Sequence, residues 1–244
     1  MSHDHIKERP LNTEEIKKLS DVADAPRVLA YGPTGSGKTF SLATLSKLGK
    51  GAILWTELRN RSPYYKACAK LGVQPADAYE AKTYMELVVK IKEIKTKDYT
   101  WVAHDGLSAD AVMFDKELFP MGMEYGQSDS FAKWKVAADR IWNISNELIC
   151  GPWKFVVVSG LEEITNDQGH VLLVGQKALK EVPPLLFNGI AHFKRPIGPA
   201  GKQKFALSFL QEGKWDAKDQ FSVVSDLGEE YPDWYEIFKK AGRV

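Results

Sequence analysis

The chain has 244 residues, 44% of them hydrophobic and 27% charged, which suits one α/β domain with a sizeable core. A formal net charge of +1 excludes a strong global attraction to polyanions, although basic residues outnumber acidic ones between Lys177 and Asp219. No run approaches the roughly 18 apolar residues of a membrane span, and the start MSHDHIKERPLNTEEIKK lacks the apolar centre of a signal peptide. The expected location is therefore the cytoplasm. There Cys68 and Cys150 are expected to be buried thiols rather than a disulfide.

Residues 1–25 read as a polar lead-in, with a short helix capped by Asn12 or Thr13. PRVLAYG (26–32) is a short apolar run ending in glycine, the pattern of a buried strand. KTFSLATLSKL (38–48) has helical spacing, and GAILWTE (51–57) is a second buried strand. SPYYKACAKLG (62–72) predicts a helix stopped by Gly72. YMELVVKIKEIK (84–95) places Met85, Val88, Ile91 and Ile94 on one stripe of an amphipathic helix. YTWVAHD (99–105) is a third strand, followed by a Gly- and Met-containing loop around 120–130. From Phe131 to Ile149, Trp134, Ala138, Ile141, Ile144 and Leu148 recur at helical spacing. WKFVVVSG (153–160) is a fourth strand, and 161–188 reads mainly as loop around Pro183-Pro184. GIAHFKR (189–195) and KFALSFLQ (204–211) look like paired late strands, and YPDWYEIFKKAG (231–242) is a closing helix with Gly242 beyond its end. Strands alternating with helices imply a mostly parallel sheet covered on both faces. Residues 26–244 are expected to form a single domain.

The strongest motif lies between the first strand and the first helix. Gly32-Pro33-Thr34-Gly35-Ser36-Gly37-Lys38-Thr39 satisfies G-x-x-x-x-G-K-[ST]. A loop that wraps phosphate must turn successive N–H groups inward, and glycines permit those dihedrals and the close approach. The helix that begins at Lys38 adds the positive end of its dipole. Lys38 supplies a point charge to the β- and γ-phosphates, and Thr39 a hydroxyl to Mg²⁺. With Phe40 at the start of the helix, residues 32–40 are the candidate nucleotide-binding set, and ATP with Mg²⁺ the expected cofactor. Asp105 closes the strand Trp101-Val102-Ala103-His104 as a Walker B carboxylate would, holding a Mg²⁺-bound water. His104 is expected to face the other way and pack.

A hydrolysing enzyme must also orient a water in line with the γ-phosphate. Glu57, at the tip of a strand expected to neighbour the P-loop strand, is placed to do so, and is otherwise a solvated strand end. GAILWTELRNRSPYYKACAKLGV, followed by an amphipathic helix and YTWVAHD, resembles the core of RecA-type recombinases. By that match Glu57 corresponds to the family's catalytic glutamate. The chain is similar, over roughly residues 26–220, to the short RecA-like ATPases of bacteriophages, some of which act in single-strand annealing or recombination. That similarity rests on the helix with Trp134, WKFVVVSGLEEI, VGQKALKEVPPLLFNGIAHFKR and Trp215-Asp216-Ala217-Lys218-Asp219. The resemblance implies a RecA-like P-loop NTPase fold, with a mostly parallel sheet flanked by helices and late antiparallel strands. It also implies a homo-oligomer, ring or filament, acting on single-stranded DNA.

Two departures accompany the match. Ser159-Gly160 stands where RecA-type proteins carry a γ-phosphate-sensing glutamine, with Glu162 or Glu163 as possible substitutes. Gln220 stands where arginine is usual, which leaves Lys218 as the catalytic cation, reaching a neighbouring subunit's γ-phosphate. DNA contacts are expected from Met121, Met123, Tyr125 and Phe131 in one loop and from Lys177 and Lys180 in another. The rival reading is an ATP-binding switch or assembly factor that does not touch DNA. A small-molecule kinase is disfavoured because 161–188 lacks the arginines of a phosphate-clamping lid.

Overall fold

The structure is a computed structural model. It describes residues 25–57, 61–118, 130–165, 168–171, 186–194, 205–209, 218–219 and 232–244; the expected lead-in helix, most of the expected Gly- and Met-containing loop around 120–130 and Pro183-Pro184 lie outside these. The first strand, β1 (Arg27–Gly32), is buried throughout. It leads through the glycine-rich loop into α1 (Lys38–Ser41), which continues as a 3₁₀ turn over Leu42–Leu48. Next come β2 (Gly51–Trp55), α2 (Ser62–Leu71), β3 (Asp77–Glu80), α3 (Tyr84–Lys95), β4 (Trp101–Asp105), α4 (Leu107–Leu118) and α5 (Ser130–Ile149). The chain then runs through β5 (Phe155–Thr165), β6 (Gln168–Val171), β7 (Gly189–Lys194), β8 (Ala206–Ser208), β9 (Lys218–Asp219) and α6 (Trp234–Lys240).

The strand order is β3-β2-β4-β5-β1-β7-β8, parallel from β3 to β7. The late strands β8 and β9 pair antiparallel with β7. This is the mostly parallel, helix-flanked arrangement with late antiparallel strands that the resemblance implies. Each face of the sheet buries its own apolar cluster. Leu29, Leu54, Val102 and Val158 meet α3, α4 and α5 on one side. On the other, Val28, Ile53, Ala103 and Val157 meet α1, α2 and α6. Alternation along each strand sends neighbouring residues to opposite faces, and both faces are covered, so the strands read as unbroken apolar runs.

Four expectations need correction. β2 is not a neighbour of β1, because β4 and β5 stand between them. The stretch after Gly160 is not mainly loop at its start. There β5 runs on to Thr165 and forms a hairpin with β6, Glu162 pairing with Val171 and Thr165 with Gln168. The stripe on α3 buries Leu87, Ile91 and Ile94, whereas Met85 is 66% exposed because its position lies on the opposite side of the helix from Leu87 and Ile94. Cys68 is a buried free thiol as expected, but Cys150 is exposed.

Candidate functional site

The carboxyl ends of β1, β2 and β4, together with the middle of β5, converge on a cavity of about 350 Å³. Thr34, Gly35, Gly37, Lys38, Thr39 and Phe40 form its phosphate side, and Glu57, Asp105 and Ser159 face them. Gly32, Pro33 and Ser36 serve the loop rather than the wall. The Lys38 ammonium donates to the carbonyls of Gly32 at 2.7 Å and Pro33 at 2.9 Å, and to Ser36 Oγ at 3.4 Å. These oxygens hold the charge above the loop, as phosphate oxygens would. Gly37 adopts φ 97°, and a Cβ there would sit 3.2 Å from the Phe205 ring. The loop therefore needs glycine for both its dihedral and its contact with that ring.

Thr39 and Asp105, the expected Mg²⁺ pair, are in direct contact. Thr39 Oγ1 donates to Asp105 Oδ2 at 2.8 Å, and the Ser159 hydroxyl donates to Asp105 Oδ1. Asp105 is 4% exposed, so these two hydroxyls satisfy a carboxylate that burial would otherwise penalise. The donor set of one carboxylate and one hydroxyl beside a phosphate loop fits Mg²⁺, which takes few protein oxygens and completes its shell with water and phosphate. Among the described residues no group of three or more His, Cys, Asp or Glu side chains could hold a metal by itself.

Glu57 follows β2 and lines the same cavity. The ladder between β2 and β4 places Trp55 opposite Asp105, and both Thr56 N and Glu57 N donate to the Asp105 carbonyl, at 3.0 and 3.3 Å. The two carboxylates that chemistry would pair thus sit on adjacent strands, although neither strand borders β1. Ser159, read from sequence as the absence of a sensor, has a positive structural role. β5 lies between β1 and β4, with Ser159 level with both Ala30 and Asp105. Glu162 is engaged by His192 Nε2 at 3.1 Å, and the side chain of Glu163 lies outside the described residues.

Of Lys218 only the backbone is described. Its backbone pairs with Ile190, whose β7 partner on β1 is Leu29, three residues before the phosphate loop. Within its own chain Lys218 is therefore at the level of the sheet interior rather than the loop. Met121, Met123, Tyr125, Lys177 and Lys180, and the side chains of Phe131 and Trp134, lie outside the described residues. Sequence reasoning missed Thr56, Pro63, Ser108, Ala109, Leu161 and Phe205 around the site. Thr56, Pro63, Ser108, Ala109 and Leu161 lie within a few residues of Glu57, Asp105 or Ser159, whereas Phe205 arrives from a distant segment.

Behind the site, His104 is fully buried. As expected it faces away from the nucleotide cavity, though it bonds as well as packs. Its Nε2 meets Asp110 Oδ2 at 2.6 Å and its Nδ1 meets the Leu54 carbonyl at 3.1 Å. Both nitrogens face acceptors, an arrangement that the doubly protonated ring satisfies. Burial opposes the charge, but the Asp110 carboxylate and the Leu54 carbonyl outweigh it, so the His104 pKa is raised.

No family model matches the chain, and no curated protein does. Solved structures with a similar fold include a KaiC-like protein from the hyperthermophilic archaeon Pyrococcus horikoshii OT3. It superposes with a TM-score of 0.43 at 12% identity, over 75% of this chain and 77% of that one. An ATPase from the type III secretion system of pathogenic bacteria superposes with a TM-score of 0.48 at 11% identity. The match covers 72% of this chain and 55% of the secretion ATPase, so it spans little more than half of that protein.

Proposed function

We propose that this chain is a Mg²⁺-dependent P-loop ATPase that couples ATP hydrolysis to single-stranded DNA in phage-type recombination or strand annealing. The observation that carries the ATPase part is the 2.8 Å Thr39–Asp105 hydrogen bond inside a cavity that Lys38 and Glu57 also line. Lys38 holds the β- and γ-phosphates, Thr39 and Asp105 hold Mg²⁺ and its water, and Glu57 orients and polarises the attacking water. Bound Mg²⁺ supplies charge neutralisation across the transferred phosphate. Phe40 adds an aromatic side chain to the cavity wall.

The DNA part is supported by the sequence resemblance. On this reading the protein assembles into a ring or filament in which Lys218 serves a neighbour's γ-phosphate. The alternative, an ATP-binding switch or assembly factor without DNA, is favoured by one feature. Ser159 bonds to Asp105 where a glutamine would relay γ-phosphate to DNA loops. Hydrolysis measured with and without a single-stranded oligonucleotide separates the two. Stimulation by the oligonucleotide, with loss of anisotropy-detected binding in Lys177→Ala/Lys180→Ala, is expected. Hydrolysis without stimulation, and no binding at low salt with a non-hydrolysable ATP analogue, leaves the switch reading in place.

A further inference from the structure

We propose that Thr56 is a positioning residue for hydrolysis, fastening the strand end that carries Glu57 to the peptide that follows Asp105, so that the two carboxylates are held as one unit. The inference rests on the ATPase reading above and extends it to a residue outside the nucleotide cavity. Thr56 is not among the residues that line that cavity. It lines a neighbouring groove with Lys82, Met113 and Lys116.

The regular ladder between β2 and β4 ends at the Trp55–Asp105 pair. Past that point the regular pairing stops, and the two strand ends meet at the Asp105 carbonyl, which accepts from the Thr56 and Glu57 amides at 3.0 and 3.3 Å. The Thr56 hydroxyl extends the pairing by one residue on each side. It donates to the Gly106 carbonyl at 3.1 Å and accepts from the Gly106 N–H at 3.1 Å. One hydroxyl thus uses its donor and an acceptor lone pair on both backbone groups of a single residue. The same Gly106 carbonyl accepts from Ala109 N at 3.0 Å and Asp110 N at 3.2 Å in the first turn of α4. Through Gly106 the clasp reaches the start of that helix. The Thr56 and Glu57 amides complete the join on the Asp105 carbonyl.

The residue type matters for a chemical reason. Valine has the same β-branched shape and suits a strand end equally well, but it offers neither donor nor acceptor. It would leave the Gly106 N–H without its partner while keeping the packing. Serine keeps the hydroxyl. The pair therefore separates positioning from shape, and displacement of a reacting group by about 1 Å can cost on the order of 100-fold in rate.

The experiment measures kcat and KM for ATP hydrolysis, affinity for a fluorescent ATP analogue and the thermal midpoint for wild type, Thr56→Val, Thr56→Ser, Glu57→Gln and the Thr56→Val/Glu57→Gln double variant. Thr56→Val is expected to lower kcat by about 10- to 100-fold while analogue affinity holds. Thr56→Ser restores most of the rate. In the Glu57→Gln background Thr56→Val adds little, since residues that act through one another are non-additive. Wild-type kcat in Thr56→Val, failure of serine to restore the rate, or an undiminished loss in the Glu57→Gln background overturns the proposal. If valine unfolds the chain, Thr56→Ala is judged by the same three results. A wild-type protein that binds ATP but never hydrolyses it defeats the ATPase reading itself, which is a separate outcome from an active wild type indifferent to residue 56.

Discussion

The two ends of the parallel strands are built to opposite purposes. At the amino ends, large side chains pack directly onto backbone. Trp101 lies across Gly51 and donates to the Gly49 carbonyl at 3.0 Å. Arg27 reaches the carbonyls of Ile149 and Trp153, each at 2.8 Å, and burial lowers its pKa to about 10, which still leaves it charged at neutral pH. At the carboxyl ends short polar side chains do the holding: Thr39 and Ser159 bond to Asp105 at the cavity, and Thr56 bonds to Gly106 behind it. Aromatic bulk and buried charge make the first end a foundation. Small hydroxyls and carboxylates make the second a site, because they fix geometry without occupying the volume that a ligand needs.

That contrast can be broken from either end. The largest effect is expected from Glu57→Gln, which keeps shape but removes charge and basicity. Hydrolysis should fall by about 100-fold or more, the usual scale for a lost general base, with analogue affinity nearly unchanged. A rate close to wild type would reduce Glu57 to a strand-end residue.

Asp110→Ala tests the layer directly beneath the site. Removing one member of a buried pair leaves the other uncompensated, at about 3 kcal/mol or more, read by chemical denaturation. The pair also carries a pH dependence. Since the His104 pKa is raised in the folded state, its contribution is complete below the ordinary histidine value. It is lost as pH climbs through the raised one. The variant's stability curve should lack that decline.

Lys38→Ala acts at the cavity alone. Losing a charged hydrogen-bond donor of about 1.5–3 kcal/mol should weaken a fluorescent ATP analogue by roughly 10- to 100-fold, and unaltered titration would remove the lysine from the phosphate site. The smallest effect, and the cleanest control, comes from the other end. A Cβ on Gly51 would lie 2.0 Å from the Trp101 ring, so Gly51→Ala should cost about 1–3 kcal/mol of stability through overpacking. Nucleotide affinity should not change, and if it does, the two ends are not independent.

The signals that depend on near neighbours in the chain were legible without a structure. The phosphate loop is one contiguous motif. The helix at 84–95 has the limits that its spacing predicts, with the Thr83 hydroxyl accepting from Glu86 N at 3.1 Å as its cap. The helix at 62–71 stops before Gly72 as read. Asp105 ends its strand where the apolar run ends. Each of these follows from periodicity, capping or turn chemistry within a few residues.

Strand order is different in kind, because it is decided by which apolar faces pack together across the whole chain. Only the fold inserts β5 between β1 and β4. That insertion brings Ser159 to Asp105 across 54 positions of sequence and turns an apparent missing sensor into a carboxylate's partner. The fold likewise sets Glu57 beside Asp105 rather than beside the phosphate-loop strand, and Thr56 onto Gly106 across 50 positions. The sequence by itself determined the phosphate loop, the two carboxylates and most of the elements. The tertiary structure decided which hydroxyls hold those carboxylates, since a hydrogen bond between distant segments leaves no periodic trace in either of them.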